Sequence, residues 1–139
     1  NIAFLSLRYY SHFTKHVFLI LIIFSMKRKR NRSKMESCKL VWKRHIVSEK
    51  GFSEKSAERI AQRCIVLIER MQYGNAMIAF YRQNGTISME KGTLVGYEKF
   101  FHREYKNTAR QESVVYWSTE QHAWRRFMIG NLLEWKAIV

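Results

Sequence analysis

Between Ser53 and Gly74 the apolar residues Ala57, Ile60, Ala61, Cys64, Leu67, Ile68 and Met71 recur at steps of three and four, which places them on one stripe of a helix. Ser53 is placed to cap its N-terminus, Gly74 to close it in a left-handed turn, and Glu54, Glu58 and Arg70 complement the helix dipole. From Ala76 the period changes to two. Residues 77–82 and 86–89 read as strands joined by Gln83-Asn84-Gly85, a strong hairpin signal. Gly92-Thr93-Leu94-Val95-Gly96-Tyr97 continues the second strand or begins another, and residues 98–112 form a charged excursion of loop or short helix. A second hairpin pairs residues 113–117 with 123–129 across residues 118–122, and residues 134–139 close as a strand after a turn at 129–133. Residues 36–52 fit a short helix or a strand. The fold class predicted is α+β, mainly β: an N-terminal helix followed by a small five-stranded barrel, closed so that no strand edge is left open.

The leader has a different pattern. An apolar run covers residues 17–24, and Lys27-Arg28-Lys29-Arg30-Asn31-Arg32-Ser33-Lys34 follows Met26. As a helix the run spans about 12 Å against about 30 Å of hydrocarbon, so it cannot cross a membrane alone. No small-residue cleavage site follows it. A marginal signal anchor, tethering a cytoplasmic domain, is one reading; the plainer one is that residues 1–25 are upstream sequence and translation begins at Met26, the leader over 1–35 being disordered or not native. The organisation expected is thus a leader over 1–35, a helical segment over 36–74 and a barrel over 75–139.

Charge adds the partner class. The 139 residues carry 25 Lys and Arg against 11 acids, a net +14. Residues 1–35 hold eight basic and no acidic residues, so the remainder holds seventeen against eleven, and 8 plus 6 recovers +14. A polyanion is the expected partner. All the acids are Glu, which excludes Asp-based dyads, triads and calcium loops. Cys38 and Cys64, 26 positions apart, match no metal-ligand spacing and indicate no disulfide framework, which fits a reducing cytoplasm. His12, His16, His45, His102 and His122 sit in no catalytic or metal pattern. Neither a catalytic site, a metal, a cofactor nor a small-molecule substrate is predicted.

The candidate nucleic-acid contacts form three groups. The first is the run Lys27, Arg28, Lys29, Arg30, Arg32 and Lys34, a phosphate-binding arm or a solubilising tail. The second is Lys55, Arg59, Arg63 and Arg70, a basic ridge opposite the apolar stripe of the helix or simply its solvated face. The third is Trp124 with Arg125 and Arg126, where the ring is either a core aromatic of the barrel or an outward one that stacks on a base while an Arg meets phosphate. Arg82, Lys91, Lys99, Arg103, Lys106 and Arg110 would extend that surface. The alternation puts Phe127 and Ile129 on one face of their strand and Trp124, Arg126 and Met128 on the other.

The segments Phe80-Tyr81-Arg82-Gln83-Asn84-Gly85-Thr86-Ile87, Lys91-Gly92-Thr93-Leu94, Val115-Tyr116-Trp117, Ala123-Trp124-Arg125-Arg126-Phe127 and Leu132-Leu133 occur in an order that resembles the WYL-related, Sm-like SH3 β-barrel family of small bacterial and mobile-element proteins. The resemblance covers about residues 75–139. It implies a barrel and, by Sm-like kinship, nucleic-acid or regulatory binding, with no assigned reaction. Ser118 and Gly130 stand near positions where the family commonly carries acids. The function expected is a basic, non-enzymatic binding module for DNA or RNA; a protein-interaction adaptor, membrane-tethered if residues 1–25 are native, is the alternative.

Overall fold

A computed structural model describes the backbone of residues 2–139 and the side chains from residue 12 onward. Helix α1 spans Ile2–Lys50 and helix α2 spans Glu54–Tyr73. The strands are β1 (Asn75–Tyr81), β2 (Ile87–Thr93), β3 (Ser113–Ser118), β4 (Ala123–Met128) and β5 (Leu132–Ile138). A short helix α3, Tyr97–Phe101, follows β2, and a 3-10 turn, Ile129–Asn131, separates β4 from β5. Asn1–Lys34 and Met35–Val139 are two compact units and are described separately.

In the first unit the basic run 27–34, whose self-repulsion predicts disorder, has a helical backbone. Neither proline nor glycine occurs before Gly51, so no residue there breaks helical geometry. Residues 12–34 are exposed throughout.

In the second unit the segment left open between helix and strand is helical to Lys50, and it buries Cys38, Trp42 and Ile46 at four-residue steps. The Trp42 indole donates to the Thr108 carbonyl at 3.1 Å, tying this helix to the loop before β3. Helix α2 buries Ala57, Ala61, Cys64, Ile65, Leu67, Ile68 and Met71, with Ile60 at the margin of the stripe. The Ser53 hydroxyl accepts from the Ser56 N–H at 3.2 Å, as a cap should. Gly74 departs from expectation: at φ −171° it is extended, its N–H donating to the Arg70 carbonyl at 3.1 Å. Strand β1 begins at the next residue, so the chain passes from helix to strand without a left-handed turn.

The sheet is antiparallel with order β4-β3-β2-β1-β5. The β1–β2 hairpin turns at residues 83–85, where the Arg82 N–H donates to the Thr86 carbonyl at 2.8 Å and Gly85 takes φ +83°. That conformation suits glycine. Gly92 is required by space, because a Cβ there would lie 2.8 Å from Tyr116 Cδ2. Strands β4 and β5 are the two edges, so the predicted ladder closing the barrel is absent among the described residues. The three-residue 3-10 turn joins them directly, and α2 packs against that turn and against β1, β2 and β5. The core unites the α2 stripe with Ala76, Ile78, Val114, Tyr116, Phe127 and Leu132.

Candidate nucleic-acid interface

Alternation along β2 sends Ser88, Glu90 and Gly92 to the inner face, so a carboxyl group lies in the interior at 4% exposure. A buried carboxylate needs partners. Tyr116, on β3 and fully buried, donates its hydroxyl hydrogen to Glu90 Oε2, and Gln121 Nε2 donates to Oε1 at 3.3 Å. Two guanidinium groups approach the same Oε1: Arg82 Nη2 at 3.9 Å and Arg125 Nε at 4.0 Å. Arg82 also donates to the Ser88 hydroxyl at 3.1 Å, and Arg125 donates to Gln121 Oε1. Burial, then the hydrogen bond to Glu90, pushes the Tyr116 hydroxyl well above its ordinary pKa, so it stays a donor.

Both guanidinium groups remain nearly half exposed and face a cleft of about 360 Å³. Phe80, Tyr116 and Phe127 form its floor, with Phe80 and Phe127 stacked at a centroid distance of 5.3 Å. Arg126, Asn84 and Asn131 line its walls, and no acidic residue lines it. Anchored guanidinium groups over an apolar floor, beside amide donors, are suited to a phosphate-bearing ligand.

The predicted residues divide among different places. Arg125 and Arg126 are exposed at this cleft. Trp124 is not beside them as an open platform: it is partly buried, meeting Trp117, Phe101, Tyr97 and Phe100 at centroid distances of 5.1 to 5.7 Å. Of the helical ridge, Lys55 and Arg59 are exposed, whereas Arg63 and Arg70 fasten α2 to β5. Arg63 pairs with Glu134, donates to the Trp135 carbonyl at 2.9 Å and lies 4.7 Å from the Trp135 ring centroid. Arg70 donates to the Ile138 carbonyl at 2.7 Å. The Trp135 N–H and Arg63 hold the Glu134 carboxyl below the usual carboxylate range. The run 27–34 is exposed on α1, in the first unit.

Glu90 and Gln121 escaped the sequence reading. The available signal was an acid on the inner parity of a strand, two positions from a glycine that admits a tyrosine ring. Buried Cys64, whose thiol burial pushes well above its ordinary pKa, is the inert core residue the stripe predicts. Among the described residues no group of three or more His, Cys, Asp or Glu side chains could hold a metal ion.

Comparison with known proteins adds one match: the sequence model of a family described as WYL_2, Sm-like SH3 beta-barrel fold, covers residues 64–133, half of the chain. No curated protein and no solved structure matches the chain significantly.

Proposed function

Because the chain belongs to the WYL_2 family of Sm-like SH3 β-barrel folds, an architecture that leaves the ligand to the site, we propose that it is a non-enzymatic nucleic-acid-binding module with a regulatory role. One observation carries the reading: Arg82 and Arg125, from different hairpins, are held half exposed on the single buried carboxyl of Glu90, at a cleft otherwise free of acids. Successive phosphates, or one phosphate and the polar edge of a base, satisfy such a pair. Arg126 widens the positive surface, and Lys55 and Arg59 supply further phosphate contacts on α2.

The test is binding of the full chain to labelled single- and double-stranded DNA and RNA across a salt series, against a scrambled basic peptide of equal charge. Affinity exceeds that control, and the double substitution Arg82→Gln/Arg125→Gln weakens it about tenfold or more and lowers the salt slope by about two contacts. Unchanged affinity and slope in the double variant would reject the cleft as the interface. The edge strand β4 favours a second reading, a peptide adding a strand there; a protein partner retained through nuclease and high salt would support it.

A further inference from the structure

Residues 17–24 of α1 are eight consecutive apolar side chains, all exposed, from 40% at Val17 and Ile22 to 65% at Phe18. Phe13 and Met26 extend the apolar surface at 61% and 55%. A helix apolar around its whole circumference belongs to an environment other than water, and a continuous exposed patch of this kind marks an interaction surface. The run rises about 12 Å along the helix, and no helix among the described residues is long and apolar enough to cross a membrane. Its cover is therefore sought in something it enters rather than traverses.

Charge selects the occupant. The six Lys and Arg of residues 27–34 follow directly and are all exposed, and residues 1–35 contain no acid. A second copy of this segment, parallel or antiparallel, would set basic residues against basic residues with no carboxylate to relieve them. A nucleic acid would neutralise the run at 27–34 and leave residues 17–24 in water. An anionic bilayer meets both demands, with headgroup phosphates beside the basic run and acyl chains around the apolar one. We propose that residues 12–34 form a surface anchor for anionic lipid bilayers, residues 17–24 entering the headgroup–acyl boundary while Lys15 and the basic run remain at the phosphates. The run 27–34 is thereby assigned to lipid rather than to nucleic acid, independently of the barrel cleft.

The experiment is sedimentation of the full chain with vesicles of phosphatidylcholine alone and with about one-third phosphatidylglycerol. The chain partitions to the anionic vesicles. Ile20→Glu/Ile23→Glu weakens that partitioning at least about tenfold, since charged residues are excluded from hydrocarbon, and Lys29→Gln/Arg30→Gln weakens it about 25-fold, at about fivefold for each of the two charges lost. Circular dichroism of each variant checks that the folded unit over 35–139 is intact. Equal partitioning of Ile20→Glu/Ile23→Glu and the unaltered chain would overturn the proposal, because the net +14 alone would then explain the binding. So would failure of the unaltered chain to bind vesicles, including the case in which it self-associates and the double Glu variant does not.

Discussion

Tyr116 and Glu90 place a polar pair inside an apolar interior, and their pairing fixes how the protein answers to alkali. Ionised Tyr116 would set a second negative charge against Glu90 in a buried space, and burial likewise opposes ionisation of Tyr105 and Cys64. The ordinary pKa is 10.0 for the two tyrosines and 9.0 for the cysteine. All three values are raised by folding, so their contribution is complete below the ordinary values and is lost as pH climbs through them toward the folded ones. The urea midpoint therefore holds steady to about pH 9 and then falls. Tyr116→Phe shallows the alkaline fall and costs about 1–3 kcal/mol at neutral pH, because Glu90 loses its hydroxyl donor. A midpoint that stays level from about pH 8 to about pH 11 would contradict this account.

At the scale of elements, the capped helix α2 makes a quantitative case for local sequence. Ser53→Ala removes the acceptor for the Ser56 N–H and lowers stability by about 1 kcal/mol, read as a shifted urea midpoint with unchanged denaturant slope. A shift below a few tenths would assign the helix end to packing alone. That helix was legible because its stripe and its N-cap agree, and the first hairpin because Asn84-Gly85 lies between alternating runs. Other features depend on partners distant in sequence. Residues 36–52 carry a mixed pattern, and their helix is settled by Trp42 reaching Thr108 across 66 positions. Arg63 and Arg70 look like solvated ridge residues until β5 returns beside α2 and supplies Glu134 and two carbonyls. The cleft was half legible: Arg125 and Arg126 stand out as charge, whereas Glu90 acquires meaning only when β3 brings Tyr116 over Gly92.

Across the whole second unit, the sheet consists of two well-paired parts with a narrow seam. Strand β1 pairs with both β2 and β5 along its length, and β3 with β4 along theirs. The parts meet through Gly92↔Ser118 and Thr93↔Trp117, with the Thr119 N–H donating to the Lys91 carbonyl at 3.1 Å just beyond. Arg82 and Glu90 belong to one part and Arg125 to the other, so the polar cluster crosses the seam. Local opening takes its cheapest path where few backbone bonds must break. In native-state deuterium exchange the β3–β4 amides should lose protection together, at a lower free energy than those of β1. A polyanion bridging Arg82 and Arg125 should slow that exchange while barely altering β1, turning the seam into a reporter of occupancy that needs no label on the ligand.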